Sequence, residues 1–236
     1  MMHNEKERVV EHAKIGQYSA GVMSKTTDYC GRIFKRFMKD GSVLELGPAE
    51  GVMTDILYPS FPDYTVVDGA DFFVESIKKR YPNIKGEASL FEEYQPDKKY
   101  DNIVLGHVLE HVENPVDTLK QCGTWLAEGG YILAAVPNSH SIHRQAAVRM
   151  GLLDAENQLN ETDKRNGHRR VYDMTTLQND FNEAGLQIVK AGGYWLKPES
   201  NGQIEANWNE NMVDAFLQLG EDYPDIAGEI YVVASL

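Results

Sequence analysis

The sequence predicts an α/β protein built on a doubly wound, mostly parallel β-sheet with helices on both faces. Short apolar runs alternate with helical stretches from residue 42 onward, a pattern typical of a parallel sheet with crossover helices. The first run, VLELGPAEG (residues 43–51), passes directly into a turn that contains two glycines. Neither an internal repeat nor a low-complexity linker interrupts this alternation.

The first half of the chain contains four predicted strands. Each is a short apolar run bounded by glycine, proline or polar residues. Helices are expected after the first two of them. In order, the predicted elements are a strand at 42–47, a helix at 51–58, a strand at 64–68, a helix at 71–81, a short strand at 83–88 and a strand at 100–106.

The second half begins with a well-marked helix. Asn114 can cap it and Pro115 fits its first position. The helix should run to about Leu126 and end at the Glu-Gly-Gly sequence of residues 128–130. Five further elements are predicted: a strand at 131–136, a helix at 174–184, and two last strands at 185–193 and 228–236 with a helix at 209–220 between them.

Residues 138–170 interrupt the alternation, because they are polar and rich in histidine, arginine and asparagine. Long irregular segments in compact domains are usually binding loops or lids. We therefore interpret the chain as one domain over residues 1–236, with an N-terminal helical cap at 1–40 and a lid or acceptor-binding insertion at 138–170.

The composition restricts the possible partners. The chain has 236 residues and a net charge of −13, which disfavours nucleic acid and anionic membranes as partners. No apolar run approaches the ~20 residues of a membrane span. The two cysteines lie far apart and the N-terminus is charged, so we expect neither a disulfide framework nor a secretory signal, and a cytoplasmic location.

The glycine turn after the first strand predicts a nucleoside site. In an open parallel sheet, ligands bind outside the carboxyl ends of the strands, and a carboxylate at the end of the second strand can hold ribose hydroxyls. Asp68 occupies that position. A dinucleotide motif would need a glycine where Ala49 stands, and Glu45 and Glu50 place negative charge near any phosphate. A cationic ligand with an amino group fits these residues better.

These residues resemble the first motif of class I S-adenosylmethionine-dependent methyltransferases, with Ala49 in place of the central glycine. Further segments are similar to the ubiquinone-biosynthesis-like group (methyltransferase type 11/23). They are GEASL (86–90), YDNIVLGHVLEHVENP (100–115), LAEGGYILAAVPN (126–138) and GHRRVYDMTTLQNDFNEAGLQIV (167–189). The resemblance implies a Rossmann-like, seven-stranded sheet whose last strand is antiparallel, and S-adenosylmethionine as the cofactor. It also implies these cofactor-binding residues: Glu45, Gly47, Ala49, Gly51, Asp68, Gly69, Glu87, Ala88, Gly106 and His107.

Two histidines follow the fourth strand, at the sheet edge where the reactive methyl group is expected. Methyl transfer is an in-line displacement, and a base helps when the acceptor is a hydroxyl. Histidine is the natural base near neutral pH, so His107 and His111 are the candidate catalytic residues.

A metal is not expected, although one alternative remains open. His107, Glu110 and His111 share one face of a helix, and His168 on the later loop makes a fourth possible ligand. This set resembles, in part, the Glu-x-x-Glu-His…His site of the metal-dependent small-RNA 2′-O-methyltransferase of plants. His107 replaces the first glutamate of that pattern.

Acceptor-binding residues are predicted from the N-terminal cap and from the polar insertion. The cationic and aromatic side chains of the insertion could hold an anionic acceptor in this acidic chain. The predicted set is Tyr18, Met23, Asn138, His140, His143, Arg144, His168, Arg169 and Tyr172.

The expected function is therefore O- or N-methylation of a small-molecule acceptor, such as a sugar, a lipid precursor or a secondary metabolite. The alternatives are a metal-assisted RNA 2′-O-methyltransferase and a non-catalytic nucleotide-binding module, because a fold by itself does not define a function. The sequence does not indicate an oligomeric state.

Overall fold

Seven strands form one mixed sheet in the order β3-β2-β1-β4-β5-β7-β6. The computed structural model describes residues 2–15 and 19–236. The strands are β1 (Val43–Leu46), β2 (Tyr64–Asp68), β3 (Lys85–Ala88), β4 (Tyr100–Gly106), β5 (Leu126–Pro137), β6 (Gln187–Tyr194) and β7 (Glu229–Ser235). The helices are α1 (Met2–Ile15), α2 (Gly21–Lys35), α3 (Val52–Leu57), α4 (Asp71–Arg80), α5 (Pro115–Trp125), α6 (Ile142–Arg149), α7 (Glu161–Arg165), α8 (Met174–Glu183), α9 (Asn201–Asn207) and α10 (Glu210–Asp222).

Strand direction agrees with the predicted fold class. Strands β1 to β5 pair in parallel, whereas β7 runs antiparallel to both β5 and β6. The order reverses beside β1, with β2 and β4 as its two neighbours. This is the switch point at which open α/β sheets bind ligands, at the carboxyl ends of the strands.

Two hydrophobic clusters cover the two faces of the sheet. Because side chains alternate along a strand, Leu44 and Leu46 of β1 pack on the face covered by α5 and α8. Val43 packs on the opposite face with residues of α2, α3 and α10. Glu45 points to the same side as Val43, and it is a buried carboxylate on that otherwise apolar face.

The insertion at 138–170 is more ordered than its polar composition suggests. It contains α6 and α7. A capping box begins α7, in which Asn160 accepts from the backbone N–H of Asp163, and the Asp163 carboxylate accepts from that of Asn160. Helix α9 was also absent from the sequence prediction, and a capping box between Ser200 and Gln203 starts it.

Helix α1 lies over the carboxyl edge of the sheet. A Cβ atom at Gly69 would lie 2.7 Å from a methyl group of Val9, so the helix approaches the end of β2 closely. Arg8 of α1 donates to the carbonyls of Gly167 and His111 at 3.3 and 2.9 Å. The cap is thereby tied to the insertion and to the loop after β4.

No helix within residues 2–15 and 19–236 combines the length and the apolar character that a bilayer crossing demands.

Candidate active site

The turn after β1 has an unusual backbone. Gly47, Ala49 and Gly51 all have positive φ angles, of 65°, 48° and 84°. Glycine adopts this left-handed region freely, whereas alanine does so at a cost of about 1–2 kcal/mol. The Gly47 N–H donates to the carbonyl of Val67 at 2.8 Å, which anchors the turn to β2. The turn therefore exposes its backbone, with little side chain to cover it, at the carboxyl ends of the strands.

Asp68 ends β2 directly beside this turn. Its two carboxylate oxygens accept from the N–H groups of Ala70 at 2.8 Å and Ala49 at 3.3 Å. Burial raises the pKa of Asp68 to about 6, although these two N–H groups act against the rise. The carboxylate is ionised at neutral pH and lines the cavity next to Gly69.

Glu45 lies behind the turn, with only 2% of its surface exposed. One of its oxygens accepts from the hydroxyls of Thr54 at 2.6 Å and Tyr64 at 2.9 Å. Burial raises the pKa of Glu45 to about 7, even though both hydroxyls favour the ionised form. The neighbouring Glu50 has a buried oxygen with no hydrogen-bond partner.

His107 follows β4 with a φ of 58°, and its N–H donates to the carbonyl of Ala135 at 2.8 Å. Its ring contacts Tyr194 Oη at 3.3 Å through Nε2, and its Nδ1 lies 3.6 Å from Glu110 and 3.7 Å from Glu229. Burial alone would lower the pKa of His107, but the carboxylates of Glu229 and Glu110 outweigh it and raise that pKa to about 9. An imidazolium donates hydrogen bonds but accepts no proton, so this geometry favours an orienting role over that of a base.

Glu110, His111 and His168 converge beside His107. Burial alone would raise the pKa of Glu110, but the neighbouring histidines outweigh it and lower that pKa to about 2. Burial lowers the pKa of His111 to about 4, against the pull of Glu110. At neutral pH His111 is therefore a neutral imidazole with a free lone pair.

Three of the arginines that follow this site in the sequence, Arg144, Arg169 and Arg170, are already engaged by the protein. Arg144 donates to the carbonyls of Glu156 and Gln158 and to the Asp163 carboxylate. Arg169 donates to the His111 carbonyl and to Glu5. The guanidinium of Arg170 donates to backbone carbonyls of residues 109, 112 and 113. These arginines hold loops together, and their donors are directed at the protein itself rather than at an anionic acceptor.

The structure brings most of the predicted site residues to one cavity. Those that line it are Met23, Glu45, Gly47, Ala49, Asp68, Gly69, Gly106, His107, Glu110, His111, Asn138, His143, Arg144 and His168. Asn138 lines the cavity, but its side-chain amide already donates hydrogen bonds to the backbone carbonyls of Asp225 and Ala227.

Several predicted residues lie elsewhere. Tyr172 was predicted to bind the acceptor, but it is buried in the core and donates to Asp180 at 2.7 Å. Glu87 and Ala88 are exposed on the edge strand β3, and residues 90–92 line the cavity instead. Gly51, His140 and Arg169 are also outside the lining, and His140 pairs with Glu156 at 2.6 Å. Tyr18 lies outside the described residues.

Among the cavity residues that the sequence did not predict, two charged ones lie near His107 and Arg144. Glu229 is the first residue of β7 and pairs with Pro137 at the end of β5, which places it opposite His107. Lys197 also lines the cavity, and burial lowers its pKa, against the charge of Glu229. Neither residue belongs to a motif. The antiparallel direction of β7 could have indicated Glu229, whereas no sequence signal indicates Lys197.

All these elements surround one continuous cavity of about 1070 Å³. It extends from the glycine turn and Asp68, below α1, to His107, His168 and Lys197. Pockets for single drug-sized ligands occupy about 300–1,000 Å³. This cavity can therefore hold a nucleoside cofactor together with a second small molecule.

Solved methyltransferase structures share this fold. The N-methyltransferase NodS of Bradyrhizobium japonicum, in complex with S-adenosyl-L-homocysteine, matches with a TM-score of 0.58 at 16% identity over 92% of this chain and 89% of that one. The plantazolicin methyltransferase BpumL matches with a TM-score of 0.58 at 15% identity over 99% and 98% of the two chains. These similarities show that the chain has the fold of those proteins, with its cavity at the switch point of the sheet.

The sequence comparisons identify the family. The family described as "Methyltransferase domain" matches residues 20–191, and the chain belongs to it. The malonyl-[acyl-carrier protein] O-methyltransferase of Halalkalibacterium halodurans is 27% identical over 165 residues, which are 64% of this chain and 59% of that protein. A probable S-adenosylmethionine-dependent methyltransferase of Mycobacterium tuberculosis is 29% identical over 97 residues, or 41% and 35% of the two chains. This chain thus spans less than two thirds of the length of either relative. The family match confirms the predicted methyltransferase family.

Proposed function

We propose that this protein transfers the methyl group of S-adenosylmethionine to an oxygen or nitrogen atom of a small-molecule acceptor. The single observation that carries the proposal is the continuous cavity, which joins the glycine turn and Asp68 to the chamber around His107. Its two ends have different chemistry, since a bare backbone turn lies at one and a set of ionisable side chains at the other. Such a division suits a nucleoside cofactor and an acceptor bound side by side.

The cofactor end fits a sulfonium nucleoside. The Asp68 carboxylate is positioned to accept hydrogen bonds from the ribose hydroxyls, and Leu90 and Phe91 line the adjoining wall for the adenine. Glu50 offers a buried oxygen without a partner, which suits the α-amino group of the ligand. The adjoining Glu45 adds negative charge as it ionises. A pyrophosphate would meet these carboxylates unfavourably.

The acceptor end is suited to small donor-rich molecules. One carboxylate oxygen of Glu229 and the amide oxygen of Asn201 are buried without hydrogen-bond partners, and both residues line this cavity. Buried acceptors of this kind are normally satisfied, so an acceptor with hydroxyl or amino groups would fill that requirement. The names of the relatives include both an O-methyltransferase and an N-methyltransferase. The proposal therefore covers both kinds of acceptor atom.

The chemistry requires positioning above all. The acceptor lone pair forms a bond to the methyl carbon, and the electrons of the carbon–sulfur bond remain on sulfur, which leaves S-adenosylhomocysteine. The cofactor supplies the leaving group, so the chain mainly aligns the acceptor and excludes water. His107 lies between Glu110 and Glu229, where it can donate a hydrogen bond to the acceptor.

Two measurements test the proposal. Calorimetry should show binding of S-adenosylmethionine and S-adenosylhomocysteine, but no binding of NAD. A panel of catechols, hydroxy acids and amines, incubated with methyl-labelled cofactor, should give labelled product together with S-adenosylhomocysteine. His107→Ala should suppress transfer while cofactor affinity stays within about threefold, and His140→Ala is the matched control because this exposed histidine lies outside the cavity. Preferential binding of NAD would refute the proposal.

A further inference from the structure

Three metal-binding side chains converge at the acceptor end of the cavity. One carboxylate oxygen of Glu110 and one ring nitrogen each of His111 and His168 all lie within 4.8 Å of one another. The two imidazole rings meet edge to face, with their centroids 4.7 Å apart. Two histidines and one carboxylate form a ligand set that binds zinc and similar divalent ions while leaving a coordination position open.

The hydrogen bonding of these side chains is incomplete. Both oxygens of Glu110 are buried without a hydrogen-bond partner. Nδ1 of His168 also makes no hydrogen bond, although the Asp163 carboxylate lies 3.5 Å away. Only 1% of the Glu110 side chain is exposed, and the nearest histidine nitrogens are those of His107 at 3.6 Å and His111 at 4.0 Å, beyond hydrogen-bond distance. A carboxylate so deeply buried normally receives several hydrogen bonds or coordinates a cation. The orphaned oxygens are therefore an independent indication of a missing positive ligand.

The backbone around the three residues is held in place from several directions. The Arg169 N–H donates to the Glu110 carbonyl at 2.8 Å, and its side chain donates to the His111 carbonyl at 3.0 Å. Arg8 of α1 donates to the same His111 carbonyl at 2.9 Å. The loop that carries Glu110 and His111 is therefore held by hydrogen bonds from two separate segments of the chain.

We propose that Glu110, His111 and His168 bind one divalent metal ion of the zinc type, with an open coordination position directed into the cavity. His107, which the sequence had grouped with these residues, lies outside the convergent set. Its ring is directed instead between Tyr194 and Glu229. The sequence expectation of no metal is thereby revised.

The metal also narrows the acceptor class, and this step rests on the proposed methyl transfer. A hydroxyl bound at the open position becomes more acidic and releases its proton to solvent. The resulting oxygen attacks the methyl carbon, and the carbon–sulfur bonding pair remains on sulfur. An amine gains nothing from such an ion, because coordination occupies the lone pair that must attack. We therefore infer a hydroxyl acceptor.

Metal titration of the full chain tests the site without any acceptor. The protein is purified without a polyhistidine tag, treated with EDTA, dialysed, and titrated with ZnCl₂, MnCl₂ or MgCl₂. Elemental analysis should then give one equivalent of zinc or manganese, and CoCl₂ should produce the visible absorption of cobalt bound to imidazole. Binding of less than a fifth of an equivalent of every ion would overturn the proposal.

Variants locate the site. Glu110→Gln keeps the side-chain shape and should weaken metal binding at least tenfold, as should His168→Ala. His140→Ala removes an exposed histidine of the same insertion and should bind metal like the wild type. Equal metal affinity in Glu110→Gln and the wild type would overturn the assignment even if His168→Ala failed to fold. Cofactor calorimetry on the same samples separates the two proposals, because loss of metal binding leaves cofactor affinity unchanged.

Discussion

Asp68 offers a sharp test of the cofactor end, because one carboxylate should act in opposite directions on binding and on stability. It is ionised at neutral pH and faces the cavity, where each hydrogen bond to a charged acceptor contributes about 1.5–3 kcal/mol. Two ribose hydroxyls therefore account for about 3–6 kcal/mol, or roughly a hundred-fold to ten-thousand-fold in Kd. Asp68→Ala should weaken S-adenosylmethionine binding by that factor.

The same carboxylate destabilises the unliganded protein. Its pKa is raised from 3.8 to about 6, so the folded chain holds the proton more tightly than the unfolded chain does. The free energy of unfolding therefore falls as pH rises through that window, by on the order of 3 kcal/mol from this group. Asp68→Asn should remove this dependence, while its amide can satisfy only one of the two backbone donors. We expect a net gain of about 1–2 kcal/mol at pH 7.5.

The assay is calorimetry with S-adenosylmethionine at pH 5 to 7, combined with urea denaturation. Cofactor affinity of the wild type should fall as pH drops through about 6, because protonation removes the charged acceptor. Asp68→Asn should bind weakly at every pH. Asp71→Asn is the control, because it removes an exposed carboxylate three residues away. If Asp68→Asn kept wild-type affinity, or if the control matched it, our placement of the ribose would be wrong.

Three further predictions concern the scaffold. Burial raises the folded-state pKa of Glu45 from 4.5 to about 7, so this residue makes the protein less stable as pH rises. Glu45→Gln should therefore reduce the difference in unfolding free energy between pH 5 and pH 8 by on the order of 3 kcal/mol, and an unchanged difference in urea denaturation would contradict this. Ala49→Gly should stabilise the fold by up to about 1 kcal/mol, because the φ angle of Ala49 is 48°. The control Ala70→Gly should destabilise the fold by about 0.5–1 kcal/mol, because the φ angle of Ala70 is −98°, and equal effects of the two variants would exclude backbone strain as the cause. Tyr172→Phe should cost about 1 kcal/mol through the lost hydrogen bond to Asp180 and leave acceptor KM unchanged; a raised KM would return Tyr172 to the acceptor site.

The sequence predicted the sheet well because each strand carries its own signal. The runs at 43–46, 64–68 and 100–106 are apolar and bounded by turn residues, and the position of Asp68 follows directly from the end of its strand. Such apolar runs are reliable signals, because a parallel strand that is buried on both faces needs apolar side chains along its whole length. The helix at 142–149 was missed because it is held by a contact distant in sequence, between Arg144 and Asp163. The helix at 161–165 does carry a local signal, its capping box, which the polar composition of the segment obscured.

The chemical state of the side chains was less accessible from the sequence. A pattern places His107 at a strand end, but its charge depends on Glu229, which lies 122 positions away and carries no motif. Likewise, Arg144 and Tyr172 were assigned to a ligand by residue type, although each is engaged by the protein itself. Residue type indicates which contacts are possible, whereas tertiary packing decides which of them form.

Because β7 runs against its neighbours, its first residue arrives at the edge where the parallel strands end. The residues at the nucleoside end of the cavity are positioned by β1 and β2, whereas the position of Glu229 is set by the connection that precedes β7. Lengthening or shortening residues 224–228 would therefore reposition this carboxylate without disturbing Asp68. Within such a sheet, acceptor preference can diverge through one short connection while cofactor recognition is inherited unchanged.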